Sequence, residues 1–436
     1  MKKFTSVLLS TTVATAMLML SVGQAGAYYD GSDIKKAKID GSDFKYRTID
    51  NKYVEIISGE DFVPKTIDNF PVTRIGDSAY HMIFDAEEDA QTKNVHTWTI
   101  PDTVNFIGDS AFSDNYTVES IKIPSSVNYL GCSAFSNCIN LKKVTLANSI
   151  EAVKSDTFRN CKKLKTVNLP DTLWKIEQEA FRGCTKLTKF VAPKNLTHIG
   201  KKAFMDCKSL KTVDFTENTC GAKIISDYAL GYYEVTTAHH DYEIENTKMY
   251  KVKDFKILLK GGNETEFPLE YASQNGFNAI LNISKNAKVI GGIPAGSVAR
   301  LKVDGKKVTK LTVKNNKSVK VTKSGKFIAL QAGKADFTAT LSDGKKIKAK
   351  FNVQSDPELE YFGVNGVYVK KGKTATVKLF GKVNSIKNKY TSTSKAKIVS
   401  EKNTNKIKVK GLAKGSTTVK VKVNGVKTLK LKVTVI

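Results

Sequence analysis

Ile123-Pro-Ser-Ser-Val-Asn-Tyr-Leu-Gly-Cys-Ser-Ala-Phe-Ser-Asn-Cys-Ile-Asn-Leu-Lys-Lys-Val-Thr145 is one of a series of stretches that recur on a step of 23 residues. Phe112, Phe135, Phe158, Phe181 and Phe204 keep that step, as do Cys138, Cys161, Cys184 and Cys207. So do Val104, Val127, Ile150, Leu173 and Leu196; Ile107, Leu130, Val153, Ile176 and Ile199; and Leu141, Leu164, Leu187 and Leu210. The unit reads Ile-Pro-x-x-Val-x-x-Ile-x-x-x-Ala-Phe-x-x-Cys-x-x-Leu-x-x-Val-x. A segment this short cannot bury its own apolar side chains, so each unit must form one coil that stacks on the next, with coils about 4.8 Å apart along a shared sheet.

Within a coil, Leu-x-x-Val-x-Leu, as in Leu141 to Leu146, predicts the strand. Ala-Phe predicts the start of a short helical or turn segment on the opposite side, with Phe filling the wide end. The fold class expected is a mixed α/β solenoid. The x positions of the strand face solvent, and stacking aligns them into columns. One column is Glu119, Lys142, Lys165, Thr188, Lys211; the next is Ser120, Lys143, Thr166, Lys189, Thr212; the third is Lys122, Thr145, Asn168, Val191, Asp214. Lys122, Lys142, Lys143, Lys165, Thr166, Asn168, Lys189 and Lys211 are therefore the candidate ligand-binding residues. The columns are rich in Lys and Thr and poor in aromatics, so they do not by themselves name a ligand. Trp98 falls on the core register of its strand, whereas Trp174 follows Leu173 on the return side, where it can be exposed.

These units resemble the leucine-rich repeats of the Treponema/BspA type. Phe70-Pro-Val-Thr-Arg-Ile-Gly-Asp-Ser-Ala-Tyr80 resembles a first repeat, with Tyr80 in place of Phe and a nine-residue insertion that holds the acidic run Asp85 to Asp89. Ile225-Ser-Asp-Tyr-Ala-Leu-Gly231 resembles a degenerate last coil, and Glu270-Tyr-Ala-Ser-Gln-Asn-Gly-Phe277 its closing helix and Gly-Phe turn. The resemblance spans about 43–282 and implies an exported protein that adheres to host or neighbouring-cell molecules. It also implies that the cysteine column is an inward position filled by Asn or Cys. Stacking would bring those cysteines within disulfide reach, yet buried thiols are expected, with no disulfide. Cys132 and Cys220 lie off the register.

From Ser284 the pattern changes to alternation with Gly at turns. Gly325-Lys-Phe-Ile-Ala-Leu-Gln-Ala-Gly-Lys-Ala-Asp-Phe-Thr-Ala-Thr340 resembles the core of bacterial group 2 immunoglobulin-like domains, and Lys408-Val-Lys-Gly-Leu-Ala-Lys-Gly-Ser-Thr-Thr-Val-Lys-Val421 repeats the signature. Two all-β sandwiches are expected. The organisation read from the sequence is a signal peptide at 1–27, an N-terminal cap and first repeat at 28–95, a solenoid with its C-terminal cap at 96–283, and immunoglobulin-like domains at 284–354 and 355–436.

The net charge of +28 is concentrated. Residues 284–436 carry 36 Lys and Arg against 7 Asp and Glu, while residues 1–283 carry 34 against 35. Such a block attracts polyanions by long-range charge and counterion release. Lysines on strands also keep a β-rich segment soluble and its edges unpaired. Met1-Lys2-Lys3, the apolar stretch Val7 to Val22 and Ala25-Gly26-Ala27 read as an export signal. Its apolar stretch is interrupted by Ser10, Thr11 and Thr12, so no membrane span is expected after cleavage. Export disfavours nucleic acid as a partner and leaves anionic wall polymers and extracellular proteins or polysaccharides. The protein is expected to be secreted or held at the cell wall without a covalent link.

No Gly-x-Ser-x-Gly, His-Glu-x-x-His or phosphate-binding glycine loop is present, and neither a nucleophile with its base nor a carboxylate pair can be assembled from local motifs. No catalytic residue, metal or cofactor is expected. His239-His240 lacks a third ligand at zinc spacing. Asp30-Gly-Ser-Asp33 and Asp40-Gly-Ser-Asp43 lack the closing Glu of a calcium loop and read as polar turns. The function expected is that of a non-catalytic binding or adhesion protein whose basic modules act as stalk or electrostatic anchor. The alternative is a wall-associated structural protein that binds anionic polymer through those modules.

Overall fold

A computed structural model describes residues 33–82, 94–219, 221–237, 246–261, 266–294, 297–314, 317–322, 324–330, 332–354, 367–369, 371–378, 389–390, 393–399, 406–423 and 427–435. The expected export signal, the first Asp-Gly-Ser stretch except Asp33, the acidic run at 85–89, Cys220, His239-His240 and the expected joint at 355–357 lie outside the described residues.

The repeats fold as a β-solenoid. Each coil gives one strand to a front ladder, His96–Thr99, Val118–Lys122, Lys143–Thr145 and Thr166–Asn168, all parallel. Lys189–Val191 and Thr212–Asp214 continue the same face in a second sheet. Each coil also gives a two-residue strand to a back ladder, such as Phe106–Ile107 with Tyr129–Leu130, and Ala152–Val153 with Lys175–Ile176, His198–Ile199 and Ile224–Ile225. The partners Ile121, Val144 and Val167 differ by the sequence step, so the ladder register is the repeat itself.

Of the two forms expected after Ala-Phe, helical or turn, the chain takes a tight turn in every repeat. The expectation of a mixed α/β solenoid is corrected accordingly. Ser110, Ser133, Asp156, Glu179 and Lys202 have φ between 53° and 57°, and Asp114, Asn137, Asn160, Gly183 and Asp206 are also at positive φ. Left-handed residues two positions before and after the Phe leave too short a run for a helix. The amides are also committed elsewhere. Those of Ser110, Phe112 and Asp114 donate to the carbonyls of Cys132, Ala134 and Ser136 on the next coil, at 2.8, 2.7 and 2.8 Å, instead of to residues four back along the chain.

Between the ladders lies one apolar core. The rings of Tyr80, Phe112, Phe135, Phe158, Phe181 and Phe204 form a continuous stack with centroids 5.0, 5.1, 5.6, 5.4 and 5.1 Å apart. The partners Ile75 and Ile107 hold the first repeat in register across the nine-residue insertion. Lys35–Ile39, Ser42–Ile49 and Tyr53–Ser58 extend the back sheet and cover its N-terminal edge.

At the other end the front sheet runs on through Lys256–Lys260, Asn278–Ile283 and Val298–Val303, all parallel. The helix Glu266–Gln274 is the one helix among the described residues, and Gly276 (φ 64°) turns the chain so that Phe277 enters the core. Because Asn278–Ile283 and Val298–Val303 pair directly, the ladder crosses the position 283/284 where a domain boundary was expected. Lys306–Val313, Gly333–Leu341 and Lys346–Gln354 come next as an antiparallel set around Phe327, Phe337 and Phe351. Farther along, one sheet contains Val367–Val369, Lys427–Val435, Gly415–Val423 and Lys389–Tyr390; another contains Thr374–Lys378, Lys406–Gly411 and Ala396–Val399.

Candidate contact surface

The front ladder places Lys143 between Ser120 and Thr166, and Thr145 between Lys122 and Asn168. Lys122, Lys142, Lys143, Lys165, Thr166, Asn168, Lys189 and Lys211 are all exposed. They are not electrostatically equivalent. Lys142 pairs with Glu119, Lys189 with Asp214 at 3.0 Å, and the Lys211 ammonium donates to the Lys253 carbonyl at 2.9 Å. Lys122, Lys143 and Lys165 make no ion pair among the described residues, which leaves three free ammonium groups on one four-stranded sheet. Burial works against the Asp214 carboxylate, but hydrogen bonds from the Thr216 hydroxyl and amide and the pairing with Lys189 outweigh it and hold its pKa below the ordinary value.

The surface is in two parts. The strands Thr166–Asn168 and Lys189–Val191 belong to different sheets, so Lys189 and Lys211 stand across a break from the other candidates. The break coincides with Phe190, which occupies the column of Ile121, Val144, Val167 and Val213 and leans on Phe204 at 4.6 Å. Trp98 puts a ring in the same column one coil before Ile121 and its strand stays paired, so the ring alone does not set the break.

A groove missed by sequence reasoning lies at the N-terminal end of this face. Asp61, Phe62, Val63 and Lys65 line one side of a cavity of about 420 Å³, and His96, Thr97, Trp98 and Thr99 the other. His96 Nε2 lies 3.0 Å from the Asp61 carbonyl, and Trp98, buried as its register predicts, forms the floor. The two walls are far apart in sequence, and no periodic signal links them.

Trp174 is 41% exposed on the back face, edge-on to His198 at 5.5 Å. Burial, with Lys175 and Lys223 nearby, lowers the His198 pKa. The cysteine column points inward: the thiols of Cys138, Cys161, Cys184 and Cys207 donate to the carbonyls of Phe112, Phe135, Phe158 and Phe181 at 3.0–3.2 Å, and all are free. Asn115 fills the same column one coil earlier and donates to the Tyr80 carbonyl at 3.1 Å. Burial pushes each of these thiols up from its ordinary pKa. Among the described residues no three His, Cys, Asp or Glu side chains are grouped to hold a metal ion, and no helix is long and apolar enough to cross a membrane.

Coils, inward Asn and Cys column and exposed polar ladder together define a β-solenoid of 23-residue repeats with an open sheet face. Residues 90–211 match the BspA type leucine rich repeat region in 6 copies. Among solved structures the chain is similar to a leucine rich repeat protein of T. pallidum, at 18% identity over 46% of this chain and 82% of that one, with a TM-score of 0.27. It is similar also to a leucine rich cell surface protein of Faecalibacterium prausnitzii (14% identity, 62% and 73% covered, TM-score 0.26). A third is a leucine-rich repeat protein of Bacteroides ovatus (16% identity, 63% and 76% covered, TM-score 0.28). No curated protein matches the chain.

Proposed function

We propose that the chain is an exported, non-catalytic binding protein that uses the front sheet of its solenoid to contact an extracellular protein or polysaccharide. The observation that carries the reading is the ladder face itself, with Lys122, Lys143 and Lys165 exposed and uncompensated beside Thr166 and Asn168. A coil face that packed against more of the same chain would be apolar; on this face Lys142 and Lys189 are matched by acids and Lys122, Lys143 and Lys165 are not. The BspA type repeat match supports the class. In this reading the protein is secreted or held non-covalently at the wall, and residues 284–354 and 355–436 form two immunoglobulin-like modules that act as stalk or electrostatic anchor.

The test is attachment of the secreted full chain to immobilised matrix proteins, glycans and whole cells. Binding that survives moderate salt and falls about tenfold or more in the triple variant Lys122→Gln, Lys143→Gln, Lys165→Gln is expected, because a contact-surface cluster concentrates binding energy in few residues. Attachment indifferent to that variant would refute the assignment. The concentration of positive charge after residue 284 favours a second reading, a wall-associated structural protein held by anionic polymer through its basic modules. That reading expects retention by bare cell walls, release by salt, and no effect of the triple variant.

A further inference from the structure

The strand register of the C-terminal segment puts lysine opposite lysine. Lys420 is the register partner of Lys430 and Lys389 of Lys422 in one sheet; Lys378 is the partner of Lys406 and Lys397 of Lys410 in the other. Like charges directly opposite weaken an antiparallel pair. Neither common explanation for strand lysines accounts for all of this. Lysines that guard a sheet against edge pairing belong on its outer strands, as Lys378, Lys389 and Lys397 do, yet Lys420 and Lys430 stand opposite each other on Gly415–Val423 and Lys427–Val435, the inner strands of their sheet. Lysines that confer solubility are interspersed with acids, yet residues 406–435 contain 9 lysines and no Asp or Glu. Upstream, exposed Lys310 and Lys346 flank Thr340 in one row, and Thr312, Thr338 and exposed Lys348 form the next. The acid on that face, Asp336, lies 3.6 Å from Lys350.

Such an array is relieved by bound anions. Its positive positions recur about 7 Å along a strand and about 5 Å across strands, over more area than a single small ion covers. No arginine occurs from 301 to 436, so the planar fork that grips carboxylates and other oxyanions bidentately is absent, and the compact ammonium that serves phosphate as a point charge is used throughout. Residues 406–435 contain no aromatic side chain, and among the described strands of the two sheets only Tyr368 and Tyr390 are aromatic, which leaves sugar rings and unstacked bases few stacking partners. We infer that the C-terminal lysine lattice binds a linear, flexible phosphodiester polymer of the poly(polyol phosphate) class, whose charge lies in its backbone. The inference rests on the reading of this segment as an electrostatic anchor and specifies what the anchor holds.

The experiment measures binding of the full secreted chain to immobilised poly(glycerol phosphate), heparin, duplex DNA and uncharged dextran across a salt series. The expected result is preference for poly(glycerol phosphate) with a steep salt dependence. The quadruple variant Lys420→Gln, Lys422→Gln, Lys430→Gln, Lys432→Gln should lower the magnitude of the log–log salt slope by roughly 3. The variant Lys35→Gln, Lys36→Gln, Lys38→Gln, on the exposed N-terminal strand Lys35–Ile39, should leave it unchanged. Tighter binding of heparin or DNA, or an unaltered slope in the quadruple variant, overturns the inference. Because the register is repulsive, the quadruple variant should melt no lower than the parent at low salt, and poly(glycerol phosphate) should raise the parent's Tm. A lower Tm in the variant removes the repulsion on which the inference stands. Purified walls separate the two levels: salt-released retention that persists after phosphodiester polymers are stripped keeps the anchor and refutes the polymer class, and retention by neither wall refutes both.

Discussion

Phe158 lies mid-stack, its ring parallel to those of Phe135 and Phe181 and fully buried. Replacing it with Ala removes two ring contacts and leaves a cavity that neighbouring coils cannot close without breaking their ladders. Phe158→Ala should cost about 3–5 kcal/mol in urea unfolding, and a loss under about 1 kcal/mol would show that the coils collapse around the gap. The turns permit the opposite experiment. Lys202 holds φ 56°, a conformation in which a β-carbon is crowded, and its side chain makes one long ion pair with Glu234 at 3.7 Å. Lys202→Gly should therefore raise stability by up to about 1 kcal/mol in the same assay; a decrease would mean that the side chain matters more than the backbone strain. Both positions are visible in the sequence as columns. That the column of Lys202 is left-handed is not visible, since Ser, Asp, Glu and Lys share it and none signals positive φ as Gly would.

Strand spacing on the back of the solenoid depends on glycine at one or two places. A β-carbon on Gly131 would lie 2.4 Å from the Gly108 carbonyl oxygen and 2.5 Å from the Asp109 nitrogen, where the Gly131 amide donates to the Ile107 carbonyl at 2.9 Å. One repeat later Lys154 stands in that column, and there Tyr129–Leu130 and Ala152–Val153 belong to different sheets, whereas Glu177, a further repeat on, is accommodated in a paired ladder with its amide donating to the Val153 carbonyl at 2.9 Å. Gly131→Ala should destabilise by about 1–3 kcal/mol and open the ladder between Phe106–Ile107 and Tyr129–Leu130, read as faster amide exchange at Gly131. Unchanged protection would show that the coils can separate without loss. The period predicts the front strands and the alignment of the cysteines in one column from spacing alone, whereas the inward direction of that column comes from the resemblance to leucine-rich repeats. Helix or turn after Ala-Phe was not decidable from the repeat, because the motif is too short for a 3.6-residue periodicity to register. The groove beside Trp98 and the break at Phe190 depend on packing between coils, which a one-dimensional pattern does not carry.

At the scale of the molecule, composition and alternation change at 284, but the backbone pairing does not. Asn278–Ile283 bonds to Val298–Val303 along five register pairs, so the segment after the solenoid also covers its last front strand. A chain ended at residue 283 exposes that strand as an open, apolar-backed edge. It should melt lower and associate in light scattering, while a chain ended at residue 354 should retain the parent's solenoid transition. Equal melting and a monomeric 283 truncation would mean the pairing adds little. The change in pattern was legible, yet the shared ladder was not: a parallel strand pair has no hairpin turn to announce it, and the alternation of 278–283 fits either side of the junction. The lysine register was hidden for the same reason, since composition counts charges without saying which residues stand opposite each other.

Ile75 and Ile107 remain ladder partners although nine extra residues separate their coils beyond the usual step. What selection must preserve is thus the rung, and the loop between rungs is free to vary. An unequal recombination that gains or drops one whole unit would lengthen or shorten the exposed face by a single rung, and every surviving coil would still meet a neighbour of its own kind. Lineages carrying such a gene could tune the reach of this surface by copy number, faster than by point substitution.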